Sequence, residues 1–134
     1  MSYLLDTNAC ITYLNDKESR VALHLRQHSP TEVVVCSIVR AELRFGALRS
    51  RKPDAAIAGV MAFLAPFQCI PFDEGAADES ARIRSELAAQ GVPIGPNDIL
   101  IAGVAISRGL TLVTHNVGEF RRVAGLEIED WEVA

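Results

Sequence analysis

Aromatic side chains make up only 6% of these 134 residues, so few flat surfaces are available for stacking nucleobases along an open groove. Cysteine is scarcer still. Cys10, Cys36 and Cys69 are odd in number and widely separated, and no CxxC pair occurs. This argues against a disulfide framework and against a thiolate zinc or redox centre. All three lie in apolar runs and are expected to be buried, reduced thiols. No apolar run approaches the roughly 18 residues of a membrane helix; the longest is Ile99 to Ile106. The first residues, Met-Ser-Tyr-Leu-Leu-Asp, hold no basic stretch before a hydrophobic core, so a cytoplasmic protein without a leader or membrane segment is expected. There is no GxSxG motif, and the loop from Gly91 to Gly95 lacks the Walker lysine and serine. His24, His28 and His115 show no ligand spacing.

An excess of positive charge is also missing. The formal net charge of −4 argues against loose nucleic-acid binding over the whole surface. It does not exclude a local patch. Residues 16–52 hold eight basic side chains against four acidic ones, whereas the remainder holds five against thirteen.

What is present is a chain that is 49% hydrophobic and of a length suited to one domain spanning residues 1–134. Strand and helix patterns alternate along it. Short strands are expected at Tyr3 to Leu5, Thr31 to Cys36, Cys69 to Phe72, Leu110 to Thr114 and Leu126 to Trp131. The Val33-Val34-Val35 run reads as buried on both faces, and Pro71 places the third strand at an edge. Helices are expected from Ala9 to Leu14, Ser19 to His28, Ile38 to Arg49 (with Ser37 as cap) and Asp54 to Leu64. Two more run from Asp73 to Gln90, stopped by Gly91, and from Asn97 or Asp98 to Ser107, and a turn with a short helix covers Asn116 to Val123. The expected fold is a single α/β domain with a mostly parallel sheet of four to five short strands flanked by helices.

The acidic residues are informative through their positions. Asp6 closes the first strand, Glu42 lies one turn into the helix after the second, Asp98 opens an apolar helix after a Gly/Pro loop, and Glu119 follows the Leu110 to Thr114 strand. In an open parallel sheet, these positions belong to the carboxyl-end face, where ligands bind. Two carboxylates about 4 Å apart repel by roughly 4 kcal/mol at an effective dielectric near 20, so such a group calls for a cation. Oxygen ligands select Mg²⁺ or Mn²⁺. Taken singly, Asp6 and Asp98 can also be read as helix caps, and Glu42 and Glu119 as solvated side chains.

Four motifs carry a resemblance over essentially the whole chain. Asp6-Thr7-Asn8 after an N-terminal strand resembles the opening of PIN-domain nucleases. Ser37 with Ala41-Glu42-Leu43-Arg44-Phe45-Gly46 is similar to their second motif, and Pro96-Asn97-Asp98-Ile99-Leu100-Ile101-Ala102 to their third. Leu112-Val113-Thr114-His115-Asn116 with Glu119-Phe120 is similar to the fourth. The closing Gly125-Leu126 and Glu129-Asp130-Trp131 resemble VapC-type toxins of bacterial toxin–antitoxin pairs.

The resemblance implies a metal-dependent endoribonuclease that uses Mg²⁺, or Mn²⁺, to cut RNA such as tRNA or rRNA and is neutralised by a VapB-like antitoxin. It makes Asp6, Glu42 and Asp98 the catalytic and metal-site acids. Asn116 stands where many PIN domains have an aspartate, so Asn116 or Glu119 completes the set. Thr7, Asn8, Ser37 and Thr114 become hydrogen-bond partners that orient the carboxylates. Arg40 and Arg44, one helical turn apart, become contacts for RNA or antitoxin. An antitoxin helix would lie in an apolar groove with a basic side chain among the acids. Self-association into a homodimer is expected, because the edge strand and alanine-rich helices leave apolar surface to cover. Three other classes remain. An aspartate-nucleophile phosphatase would need a second acid at position 8, which is Asn, and a receiver domain would need an acidic pair near the first strand. A non-catalytic module of the same fold is favoured only by Asn116.

Overall fold

Val33-Val34-Val35 is the stretch least suited to a helix, because each side chain is branched at Cβ. In the computed structural model, which describes residues 2–133, it forms strand β2 (Val33–Cys36), buried along its whole length. The other strands are β1 (Tyr3–Leu5), β3 (Gln68–Ile70), β4 (Thr111–Val113) and β5 (Ile128–Glu129). All pairings are parallel, in the order β3-β2-β1-β4-β5. Leu4 is in register with Val34 on one side and Leu112 on the other. The chain therefore lays β2 and β3 on one side of β1, and β4 and β5 on the opposite side. That reversal of strand order opens a crevice beyond the carboxyl ends of β1 and β4, where α/β folds bind ligands.

Helices α1 (Thr7–Asn15), α2 (Arg20–Arg26), α3 (Ser37–Leu48), α4 (Pro53–Leu64), α5 (Glu74–Gln90), α6 (Pro96–Arg108) and α7 (Val117–Phe120) connect and cover the strands. Leu4, Leu5, Val39, Ile83, Ile101, Val104 and Leu112 are fully or almost fully buried between the layers. Parallel pairing demands such crossovers, and burial on both faces explains the unbroken apolar runs of the central strands. No helix is long and apolar enough to cross a membrane among the described residues.

Several boundaries differ from the sequence reading for identifiable reasons. Helix α3 starts at Ser37 itself, with Cys36 as its cap residue and no side-chain capping bond. The Ser37 hydroxyl instead accepts a hydrogen bond from the Phe72 N–H at 3.0 Å, joining the ends of β2 and β3. Helix α6 starts at Pro96, capped by Gly95 rather than by Asn97 or Asp98, because the fixed φ of proline suits the first helical position. Strand β3 stops before Pro71 and is an edge strand as expected, but its outward face leaves Cys69 exposed. Cys10 and Cys36 are buried as expected, and burial pushes both thiols above their ordinary pKa.

Helices α5 and α6 meet at a glycine. A Cβ at Gly103 would lie 2.0 Å from Ser80 Oγ and 2.8 Å from the Ala76 carbonyl oxygen. The Ser80 hydroxyl is buried without a hydrogen-bond partner, so removing it costs little. Gly103→Ala should destabilise the domain by about 2 kcal/mol or more through overpacking against backbone, whereas Ser80→Ala should be neutral or stabilising. In the double variant, Ser80→Ala should recover only part of the loss, because the Ala76 carbonyl remains in the way. Urea unfolding of the three variants checks this.

Candidate active site

Asp6 occupies the first position after β1. Its N–H donates to the Val113 carbonyl at 3.0 Å, extending the β1–β4 ladder by one rung. Its side chain caps α1: Oδ1 accepts from the Ala9 N–H at 2.8 Å. The capping role and the cleft position are thus held by one residue. Asp6 is 4% exposed. Burial raises its pKa above the ordinary carboxylate value, and the negative charges of Glu132 and Glu42 push the same way. Hydrogen bonds from the Thr114 hydroxyl and the Ala9 N–H oppose that rise. Thr114 is itself buried and accepts from the Asn116 N–H at 3.0 Å, which fixes its hydroxyl at the end of β4.

Glu42 comes from the second turn of α3 and is held by a residue of the neighbouring helix α1. The Thr7 hydroxyl donates to Glu42 Oε1 at 2.6 Å, linking residues 35 apart in sequence. Arg40 and Arg44 do not pair with Glu42. Their guanidinium groups reach the Met61 sulfur on α4, at 3.8 Å and 3.2 Å.

Asp98 lies in the first turn of α6 and is relieved of capping duty by Gly95 and Pro96. Burial pushes its pKa up to about 6, and the charges of Glu119, Asp6 and Glu42 add to the rise. That electrostatic signature means that four acids from four distant segments share one field. Glu119, on α7, also accepts a hydrogen bond from the Asn116 side-chain amide. Asn116 therefore turns its amide toward Glu119, and Glu119 is the carboxylate at this corner of the site.

Asp6, Glu42 and Asp98 line a cleft of about 650 Å³ together with Thr7, Asn8 and Asn97. Ile11 and Phe45 supply apolar rim, Phe45 being 63% exposed. None of the four acids forms an ion pair with a lysine or arginine among the described residues. Their oxygens are not drawn into a tight ligand set; among the described residues, the trio that closes within 4.8 Å is His115, Asp130 and Glu132. A spread, oxygen-only set without compensating cations suits a hydrated hard ion, which keeps water and uses few carboxylates directly.

The structure thus brings Asp6, Glu42, Asp98 and Glu119 together, with Thr7 and Thr114 bonded to two of them. Asn8 lines the cleft as an exposed residue, and Ser37 is engaged with Phe72 rather than with an acid. Glu132 was not visible as a neighbour of Asp6 from sequence. It lies beyond the last short strand, and only the pairing of β5 with β4 returns it to the site.

Comparison with known proteins identifies the family. The family model described as "PIN domain" matches residues 3–126. The chain is 39% identical over 134 residues to the tRNA(fMet)-specific endonuclease VapC of Salmonella typhimurium, covering 98% of each. It is 35% identical to Ribonuclease VapC2 of Rickettsia felis, covering 98% of this chain and 99% of that one. Among solved structures, DNA-bound VapBC from Salmonella typhimurium superposes with a TM-score of 0.93 at 38% identity, with 98% of both chains covered. VapBC2 from Rickettsia felis bound to a promoter DNA fragment superposes with a TM-score of 0.92 at 34% identity, with 98% and 99% covered. The match across nearly the full length, in sequence and in fold, establishes that this chain belongs to the PIN-domain family, among its VapC ribonucleases.

Proposed function

We propose that this chain is an endoribonuclease toxin of one domain, dependent on Mg²⁺ or Mn²⁺, that cuts structured RNA and is neutralised by a VapB-like antitoxin. The observation that carries this reading is the group of four acids with no lysine or arginine partner among the described residues, one of them pushed up to about pKa 6 by burial and by its neighbours. Asp6, Glu42 and Asp98 would hold the ion, with Glu119 completing the charge and Asn116 orienting Glu119. When bound, the ion polarises the scissile phosphodiester and stabilises the charge that develops on it.

The residues of the chain do the positioning. Thr7 fixes one oxygen of Glu42 and the Ala9 N–H fixes one oxygen of Asp6, which holds both carboxylates in one orientation at the cleft. An oxygen of Asp98 or Glu42 that does not hold the ion would take a proton from the attacking water as the new P–O bond forms. The bond to the leaving RNA oxygen breaks, and that oxygen takes its proton from solvent. Arg40 and Arg44, on the same helix as Glu42, contact backbone phosphates. With few aromatic groups present, shape and backbone contacts select the RNA, and tRNA is the first class to test because a relative is named for it.

The antitoxin seat is a groove of about 470 Å³ between α1, α3 and α4, floored by Leu14, Ala47 and Val60. It shares Ile11 and Glu42 with the acidic cleft. An amphipathic helix laid there would deliver a basic side chain to the acids. Homodimerisation fits a second apolar groove formed by Leu87, Ile94, Ile99 and Leu100 on α5, α6 and their connection.

Two outcomes test this reading. Incubated with bulk tRNA and ribosomal RNA, the purified chain should give discrete fragments with Mg²⁺ or Mn²⁺ and none with EDTA. Asp98→Asn should lower the rate by about 10² or more; metal-independent cleavage, or an equally active variant, would reject the mechanism. Gly59 lies exposed in the groove with open space at its Cβ position. Gly59→Trp should therefore cleave RNA normally while binding antitoxin at least about tenfold more weakly, as measured by titrating inhibition.

A further inference from the structure

We propose that His115, Asp130 and Glu132 form a second divalent-cation site beside the acidic cleft, selective for ions of the zinc class over Mg²⁺. Each residue offers one ligand atom, and all three atoms lie within 4.8 Å of one another. None of the three lines the acidic cleft.

Parallel pairing explains how the group forms. Val113 is in register with Glu129, and the Thr114 N–H donates to the Glu129 carbonyl at 2.9 Å. The residues that leave β4 and β5 therefore emerge side by side, His115 next to Asp130. Asp130 then organises the other two. Its Oδ2 lies 2.9 Å from His115 Nδ1, and its Oδ1 accepts from the Glu132 N–H at 2.9 Å. The segment is anchored by Trp131, which is 2% exposed and stacked on His28 at 5.1 Å between ring centres. The ligands on either side of Trp131 thus sit on a fixed backbone, whereas His115 is 59% exposed and leaves a way in for an ion.

The donor set decides the selectivity. An imidazole nitrogen and carboxylate oxygens are all donors that Zn²⁺ accepts, and three protein ligands leave a further position open to water. Imidazole favours Zn²⁺, Ni²⁺ and Co²⁺, whereas Mg²⁺ prefers oxygen ligands alone. Neither carboxylate has a lysine or arginine partner among the described residues, and Asp130 pairs instead with His115, so an entering ion would replace the proton on His115 as the positive partner of the two acids.

The position of Trp131, the sole tryptophan, supplies a readout independent of RNA cleavage. In saturating Mg²⁺, which occupies oxygen-only sites, Zn²⁺ should bind the purified chain with one-to-one stoichiometry by calorimetry. Ni²⁺ should quench Trp131 fluorescence and be displaced by Zn²⁺. His115→Asn should weaken both signals about tenfold or more, with an unchanged melting temperature and unchanged Mg²⁺-dependent cleavage. Asp98→Asn should leave both signals intact. Equal Zn²⁺ affinity in wild type and His115→Asn, loss of binding in Asp98→Asn, or no binding above Mg²⁺ would each overturn the proposal.

Discussion

Mutual repulsion among Asp6, Glu42, Asp98 and Glu119 is the constraint around which this fold is arranged. Their approach is unfavourable at neutral pH, and burial of Asp6 and half-burial of Asp98 make it more so. The rest of the domain holds them there. The β1–β4 ladder fixes Asp6, the crossover through α3 brings Glu42 over the same strand end, and the Thr7 hydroxyl joins the two. Stability is given up at the site and recovered in the core, a pattern common where function needs uncompensated charge.

The start of α6 shows how backbone chemistry serves the site. An aspartate three residues into a helix would ordinarily be drawn toward the free N–H groups of the first turn. Gly95 takes the cap position and Pro96 the first helical position. Asp98 is left in the cleft, feeling Glu119 most among its charged neighbours. Further along the same helix, Gly103 lets α5 approach until its Ala76 carbonyl and Ser80 nearly touch α6. The second half of the helix therefore anchors what the first turn presents.

Much of this was legible in the residues. Val33-Val34-Val35, Pro71 and Gly91 indicated a doubly buried strand, an edge strand and a left-handed helix stop, and all three are found. The acids at strand ends indicated the face on which they gather. What sequence could not reach was decided by long-range geometry. Ser37 looked like a helix cap and an orienting group, but tertiary packing gives its hydroxyl to Phe72. Cys69 sat in an apolar run, yet an edge strand has an outward side. His115, Asp130 and Glu132 carry no ligand spacing along the chain, because their proximity comes from the pairing of β4 with β5.

The central claim, that the carboxylate group is destabilising until a cation joins it, has a thermodynamic signature apart from catalysis. A carboxyl whose pKa rises from 3.8 to about 6 on folding adds stability that is fully present below pH 3.8 and is lost as pH rises through about 6. The most direct measurement is the melting temperature of metal-free wild type and Asp98→Asn from pH 4 to pH 8, repeated with Mn²⁺. Metal-free Asp98→Asn should be the more stable at pH 7.5, by about 1 kcal/mol after screening at a half-buried site. That advantage should shrink toward pH 4, and Mn²⁺ should stabilise wild type far more than the variant. Equal stability of the two proteins at pH 7.5, with equal response to Mn²⁺, would contradict the central claim.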